Sequence, residues 1–219
     1  MKEILILILS YLLGSIPFGF IFTKIFAKKN ILEIGWRKTS GSNVFKNVGA
    51  LPGALTGICD ILKGSLAVYL AKKFGFSLEI QSLCALFAVL GHNWSIFLKF
   101  AGGRGIGTFM GCLLILAPKI LLYSLIPFLL FTLILDTSIA TILFLLCAIF
   151  LSFKTKFSLF TIPVFFFILL KRLSPIGELS LKNKKLILSR LIFDDEKFHR
   201  MRIQRLTKKI KFGKIKLWN

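Results

Sequence analysis

A polar segment between two long apolar runs gathers side chains suited to binding a phosphate group. The segment covers residues 28–46, and its candidate ligands are Arg37, Lys38, Ser40, Ser42, Asn43 and Lys46. Hydroxyl and amide groups donate hydrogen bonds to phosphate oxygens, and the cations balance the phosphate charge. We therefore predict a phosphate-binding loop that the flanking apolar runs hold at a membrane surface.

A second candidate for phosphate binding is the glycine-rich stretch Gly102-Gly103-Arg104-Gly105. Glycines allow backbone amides to approach an anion, and the planar guanidinium of Arg104 suits two parallel contacts with phosphate. The stretch also precedes a predicted helix, whose amino terminus favours negative charge. A plain turn between two spans is the alternative, because glycine turns are common there.

Two ionisable residues, Asp60 and Lys63, lie inside an apolar run. Charged groups within a membrane span are costly, and they are usually paired or functional. The two residues are spaced three apart, so a helix places them on one face. The sequence leaves two interpretations open: a local ion pair, or a direct contact of Lys63 with a substrate phosphate.

Several familiar catalytic sets are missing from the sequence. His92 and His199 are the only histidines, and neither precedes an aspartate at the His-x-x-x-x-Asp spacing of a common acyltransferase dyad. No Ser-His-Asp set and no cluster of zinc ligands is recognisable. Any catalysis must therefore depend on positioning and charge, with His92 or a substrate phosphate moving a proton. No metal or other cofactor is expected.

The composition indicates an integral membrane protein. The chain has 219 residues, of which 56% are hydrophobic, and its mean hydropathy is +0.81. Its net charge of +21 is concentrated between and after the apolar runs. So basic a chain can bind nucleic acid, but cations placed beside apolar runs favour contact with anionic lipid. We expect a lipid bilayer as partner and no nucleic acid.

The apolar runs predict an all-α, polytopic membrane protein with about seven transmembrane helices. A spanning helix needs about 20 apolar residues. The runs cover residues 4–26, 51–71, 78–98, 106–135, 139–153 and 157–170. The fourth run is too long for one helix, so we predict two short helices that are separated near Pro118.

The uneven distribution of Lys and Arg predicts the orientation. With seven spans and the amino terminus outside, residues 28–46, residues 99–104 and the chain after residue 170 face the cytoplasm, as the positive-inside rule expects. Residues 1–173 then form a membrane-embedded domain, and residues 174–219 form a basic cytoplasmic tail. The tail is expected to hold an interfacial helix with an apolar face of Leu186, Ile187, Leu188, Leu191, Ile192 and Phe193.

Three stretches of the chain, in this order, resemble the acyl-phosphate:glycerol-3-phosphate acyltransferase family, PlsY. They are residues 11–19 (YLLGSIPFG), 60–64 (DILKG) and 91–105 (GHNWSIFLKFAGGRG), and the resemblance extends to about Leu173. It implies a seven-helix enzyme of the bacterial inner membrane that acts in phospholipid biosynthesis. The implied reaction transfers a fatty acyl group from acyl phosphate to glycerol-3-phosphate and gives lysophosphatidic acid and phosphate. The family uses neither acyl-CoA nor a metal, and we expect a monomer.

The resemblance also assigns roles to particular residues. Ser42 and Asn43 match a Thr-Asn pair in the family's long loop motif, and Lys46 matches an arginine that follows it. His92 matches the histidine of the second motif, and Ser138 matches a serine between later spans. The phosphate-loop glycines correspond to Gly102, Gly103 and Gly105, with Arg104 in place of the usual lysine. The implied catalytic set is Ser42, Asn43, His92, Arg104 and Ser138.

The chain departs from the family pattern in two places. The first half of the loop motif falls on residues 35–38 (GWRK), which lack its serine and asparagine, unless residues 40–43 (SGSN) replace it through a shortened loop. A carboxy-terminal histidine and asparagine of the family fall on Phe166 and Leu169. We therefore predict a divergent member. Two other functions stay open: a non-enzymatic carrier or binder of anionic lipids, and an acyltransferase with a different phosphorylated acceptor.

Overall fold

The computed structural model of the protein describes residues 1–174 and 184–193, and within these ranges all regular structure is helical. The α-helices are α1 (Lys2–Ser15), α2 (Phe18–Ala27), α3 (Gly41–Asn47), α4 (Ala50–Lys73), α5 (Leu78–Asn93), α6 (Ile106–Leu116), α7 (Pro118–Ile134), α8 (Thr137–Ser152), α9 (Ser158–Leu173) and α10 (Lys184–Phe193). The predicted all-α fold is confirmed. The rest of the predicted tail, residues 175–183 and 194–219 with His199, lies outside the described residues.

The outer surface of the helices is apolar, as a lipid environment requires. Three helical stretches of the described chain are long and apolar enough to cross a bilayer, namely Lys2–Ala27, Ala50–Lys73 and Leu78–Leu98, and α6, α7 and α8 are shorter apolar helices. Large side chains such as Leu133 and Phe150 are 70% and 80% exposed. Lipid tails can cover such side chains at no cost, so the polytopic prediction is confirmed. The first stretch together with α4 to α9 gives the seven apolar segments that were predicted.

Two prolines divide the apolar runs, and only one of the breaks was predicted. Pro118 begins α7 directly after α6, as expected from its missing N–H and fixed φ. The first run remains one candidate span, Lys2–Ala27, but it consists of two helices, because α1 ends at Ser15 and α2 begins after Pro17. The carbonyl of Ile16 exposed by this break accepts a hydrogen bond from Lys63 Nζ at 2.9 Å.

Glycines allow the helices that carry the site to pack closely. A Cβ atom at Gly64 of α4 would collide with the carbonyl oxygen of Thr108 in α6, and one at Gly111 of α6 would collide with that of Ile61. Small residues let transmembrane backbones approach each other in this way. The two contacts fix α6, and with it the glycine-rich stretch that precedes α6.

A cluster of aromatic rings joins α6 to the later helices. Phe109, Phe144 and Phe160 are fully buried, and the ring of Phe109 lies 5.7 Å from that of Phe144 and 5.1 Å from that of Phe160. Such ring pairs stabilise a core beyond the area that they bury. The cluster therefore holds the middle of α8 and the start of α9 against α6.

Replacing Gly64 by alanine is expected to destabilise the protein by about 1–3 kcal/mol, because the added methyl group overpacks the contact between α4 and α6. The measurement is the unfolding midpoint of the purified protein in detergent. Gly57→Ala is the matched control, since it lies in the same helix with no atom within 4 Å of the added Cβ. Equal midpoints for the two variants would contradict the packing argument.

Candidate functional site

The two polar motifs of the sequence lie side by side in the structure. Arg104, which precedes α6, donates hydrogen bonds through Nη2 to Ser42 Oγ at 2.9 Å and to Ser40 Oγ at 3.2 Å. Ser40 and Ser42 belong to the start of α3. They precede Arg104 by 64 and 62 positions in the sequence, and the fold brings them to its guanidinium. The result is a small polar surface with one cation and two hydroxyl groups.

Trp36 provides a platform for two cations of this surface. Its ring centroid lies 4.9 Å from Arg104 Cζ and 4.9 Å from Lys46 Nζ. Cations are attracted to the negative face of an indole ring, and the flat guanidinium of arginine also stacks on it. Trp36 and the two serines therefore fix the orientation of Arg104 from two directions.

Asn43 shapes the polar loop from inside. Its fully buried side chain donates hydrogen bonds through Nδ2 to the carbonyls of Ile34 at 3.1 Å and Lys38 at 2.9 Å. Its Oδ1 accepts from the Trp36 amide at 3.1 Å and from Asn47 Nδ2 at 2.9 Å. These contacts tie the loop to α3, so Asn43 positions the loop, and its implied catalytic role stays a prediction.

The glycine-rich stretch packs directly against His92. The amide of Gly103 donates to the His92 carbonyl at 3.0 Å, and the amide of Thr39 donates to the Gly102 carbonyl at 3.3 Å. A Cβ atom at Gly103 would collide with His92 Nε2. Gly105 has φ +78°, which an L side chain rarely adopts, and a Cβ there would lie 2.6 Å from Asn93 Oδ1. Only glycine fits these positions.

A buried charged group of three residues lies next to this stretch. Asp60 Oδ1 is 2.9 Å from Lys63 Nζ and 3.3 Å from His92 Nδ1, and all three residues are almost inaccessible. The ion pair between Asp60 and Lys63 that the spacing indicated is confirmed. The contact with His92 was not predicted, because it joins α4 to α5. It orients the imidazole with Nε2 toward Gly103.

A cavity of about 540 Å³ connects these groups with an apolar region between the helices. Its polar lining includes Ser40, Ser42, Asp60, His92, Arg104 and Ser138. Its apolar lining includes Phe45, Ile61, Ile106, Met110 and Phe128. A volume of this size is typical of small-molecule sites. Among residues 1–174 and 184–193, no three His, Cys, Asp or Glu side chains are grouped to bind a metal ion.

The remaining predicted ligands lie outside the cavity lining. Arg37 is exposed with φ +54°, and Lys46 is exposed beside Trp36. Lys38 is buried and donates to the Arg172 carbonyl at 3.4 Å, while Lys63 is occupied by Asp60 and the Ile16 carbonyl. The phosphate-binding roles of these four cations stay predictions.

Two residues near the end of α9 alter the interpretation of the departures from the family pattern. Phe166, where the resemblance places a histidine, is 62% exposed and therefore lies on the outer face of α9. Arg172 is only 1% exposed and lines the cavity, although its position after an apolar run indicated a cation at the membrane surface. The sequence alone did not show which face of α9 is buried. In the structure Val164, Ile168 and Arg172 share the buried face.

Fold and site together define a polytopic α-helical membrane protein with a cavity that both charged and apolar side chains line. A sequence profile of the family described as glycerol-3-phosphate acyltransferase matches residues 4–182. The chain belongs to this family.

Named relatives agree with this assignment. A glycerol-3-phosphate acyltransferase of Enterococcus faecalis is 35% identical over 163 residues, which are 74% of this chain and 74% of the relative. Glycerol-3-phosphate acyltransferase 2 of Dehalococcoides mccartyi (strain CBDB1) is 43% identical over 116 residues, which are 53% of this chain. That match spans 55% of the length of the Dehalococcoides protein.

Solved structures show the same fold. PlsY (YgiH), an integral membrane glycerol 3-phosphate acyltransferase, superposes in its glycerol 3-phosphate form with a TM-score of 0.74 and 26% identity. Its lysophosphatidic acid form gives a TM-score of 0.71. Each alignment covers 91% of this chain and 96% of the PlsY chain.

Proposed function

We propose that the protein transfers a fatty acyl group from acyl phosphate to glycerol-3-phosphate, giving lysophosphatidic acid and phosphate. The single observation that carries the proposal is the cavity in which Arg104, hydrogen-bonded to Ser40 and Ser42, meets an apolar region between helices. The guanidinium and the two hydroxyl groups suit a phosphate group, and the apolar part of the lining suits a fatty chain. The crystallised relative that is described in glycerol 3-phosphate and lysophosphatidic acid forms supports this choice of substrate and product.

The reaction needs no nucleophile from the protein. The acceptor hydroxyl oxygen attacks the acyl carbonyl carbon, and the bond from that carbon to the phosphate oxygen breaks. The leaving phosphate keeps the electron pair and takes up the proton that the hydroxyl loses, either directly or through His92. Because acyl phosphate is already activated, holding the hydroxyl beside the carbonyl supplies much of the acceleration, and well-oriented reactions gain about 7–11 kcal/mol.

Arg104 provides the charge for this reaction. A guanidinium held by Trp36 and two serines is already oriented before a phosphate arrives, so little reorganisation accompanies binding. His92 lies 3.3 Å from Asp60 and packs against Gly103 of the glycine-rich stretch. We assign phosphate binding to Arg104 and leave proton transfer to the phosphate or His92.

The proposed location is the bacterial cytoplasmic membrane, with the amino terminus outside and the cavity's polar end at the cytoplasmic side. The segments with most Lys and Arg, which include the site loops, then face the cytoplasm. Glycerol-3-phosphate is a charged metabolite and reaches such a site from water, whereas the acyl chain enters from the lipid. We further propose that the protein acts as a monomer.

The test uses purified protein with palmitoyl phosphate and labelled glycerol-3-phosphate. We expect release of phosphate in equal amount to labelled lysophosphatidic acid. Binding of glycerol-3-phosphate without turnover would contradict the proposal and favour a carrier of anionic lipids. Competition by other phosphorylated alcohols in the same assay measures the choice of acceptor, and a better competitor that is itself acylated would replace glycerol-3-phosphate in the proposal.

A further inference from the structure

Helix α10 lies beyond the part of the chain that the family profile matches, which ends at residue 182. The helix packs against α8 and α9. Ser189, Arg190 and Phe193 form its buried face, while Lys184, Lys185 and Leu188 are exposed. Helix α10 therefore packs on two helices that lie within the part of the chain that the profile matches.

The carboxyl ends of α9 and α10 cap each other. Arg172 of α9 donates through Nη1 to the carbonyl of Leu191 at 2.8 Å, and Arg190 of α10 donates through Nη1 to the carbonyl of Leu173 at 3.2 Å. The last four carbonyls of a helix have no partner within it, and a cation there is favourable. Because Arg172 and Arg190 are 1% and 4% exposed, these caps form away from bulk water.

The first turn of α8 provides a further contact with α10. Ser138 Oγ donates to the carbonyl of Phe193, the last residue of α10, at 2.8 Å. Arg172 also donates through Nη2 to the Ser138 carbonyl at 2.9 Å. One guanidinium thus joins the start of α8 to the end of α10, and the hydroxyl proton of Ser138 is engaged with α10.

Two residues that hold α10, Ser138 and Arg172, also line the cavity. Thr137, Ser138 and Arg172 form part of its wall, on the side that α8 and α9 provide. The position of α10 and the shape of that wall are therefore coupled through the same two side chains. Arg104, in the stretch before α6, is held by Ser40 and Ser42 at the start of α3 and by Trp36, which are not residues of α10.

We propose that docked α10 completes the substrate cavity of this protein, with Arg172 as the positioning residue that links the helix to the cavity wall. The inference rests on the proposed function, because the ligand of the cavity is taken to be the phosphorylated acceptor. Release of α10 leaves the wall at Ser138 and Arg172 without its support and weakens acceptor binding. The groups that hold the reacting phosphate at Arg104 stay in place, so the chemical step changes little.

Arg190→Gln is the decisive variant, since it removes the hydrogen bond by which α10 caps the end of α9 without altering a residue that lines the cavity. In the full-length protein we expect faster hydrogen exchange of residues 184–193 and a KM for glycerol-3-phosphate raised about tenfold, as for loss of a charged hydrogen bond. The kcat should change by less than about twofold, because acceptor binding and not the transition state is affected. Arg190→Lys, which keeps the charge at the helix end, should restore part of the KM and of the protection.

Lys185→Gln is the matched control, because it removes an exposed cation from the same helix and should change neither exchange nor KM. Slow exchange in α5 and α6 of every variant shows that the core is folded. Faster exchange of α10 with an unchanged KM would overturn the inference, and so would unchanged exchange in Arg190→Gln. If the unaltered protein makes no lysophosphatidic acid, the proposed function fails, and the Kd for glycerol-3-phosphate in the same variants then decides the role of α10.

Discussion

Replacing Arg104 by alanine is expected to lower kcat/KM for acyl transfer about 10²- to 10³-fold, as for loss of an oriented donor to developing charge. Ser40 and Ser42 lose their common donor, and the ring of Trp36 loses one of its two cations. No other arginine or lysine contacts these two hydroxyls among the described contacts of residues 1–174 and 184–193. The measurement is the initial rate of labelled lysophosphatidic acid formation.

The control for Arg104 is Lys99→Ala, which removes an exposed cation of the same loop that does not line the cavity and should change the rate less than about twofold. Arg104→Lys retains the charge but loses the flat guanidinium that meets two serines and Trp36. We expect a loss of about tenfold, because arginine and lysine are not equivalent at a stacked site with two contacts. Full activity of Arg104→Ala would contradict the assignment of the site.

The sequence was sufficient for features that depend on neighbours along the chain. Apolar length gave the helices, the missing N–H of Pro118 gave the break before α7, and the spacing of Asp60 and Lys63 placed them on one helix face, with their ion pair as one of two interpretations. Each of these follows from helix geometry or from one residue's covalent structure. The division of the first span into α1 and α2 at Pro17 was not predicted, because the Lys63 side chain that bonds the Ile16 carbonyl at this break comes from α4.

The sequence was insufficient where two helices contribute to one group. The contact of His92 with Asp60 requires the relative rotation of α4 and α5, and the inward position of Arg172 requires the phase of α9. Neither quantity is encoded by local spacing. The sequence indicated residues 40–42 and Arg104 as two separate candidate sites, and the packing of α3 and α6 against α4 brings them within hydrogen-bonding distance.

Replacing Asn43 by alanine is expected to lower kcat/KM at least about 100-fold, although Asn43 does not line the cavity. The substitution leaves the carbonyls of Ile34 and Lys38 and the amide of Trp36 without their buried partner. Each unsatisfied buried group costs about 1–3 kcal/mol, so the loop must rearrange. Trp36 then moves away from Arg104, and the cation loses one of the two supports that orient it. The measurement combines the rate of acyl transfer with the fluorescence of Trp36, recorded in protein whose other two tryptophans, Trp94 and Trp218, are replaced by phenylalanine.

Two further variants separate loop shape from direct chemistry at Asn43. Asn43→Asp retains the acceptor for the Trp36 amide but loses both donors, so its activity should be nearly as low as that of Asn43→Ala. Asn47→Ala is the matched control, because the described hydrogen bonds of the Asn47 side chain reach only Asn43, and a loss of less than about fivefold is expected. If Asn43→Ala is inactive while the fluorescence is unchanged, the loop has kept its shape and Asn43 acts on the substrate directly. If the fluorescence changes together with the rate, the Asn43 side chain acts by holding the loop against α3. The activity is then lost because Arg104 loses the support of Trp36.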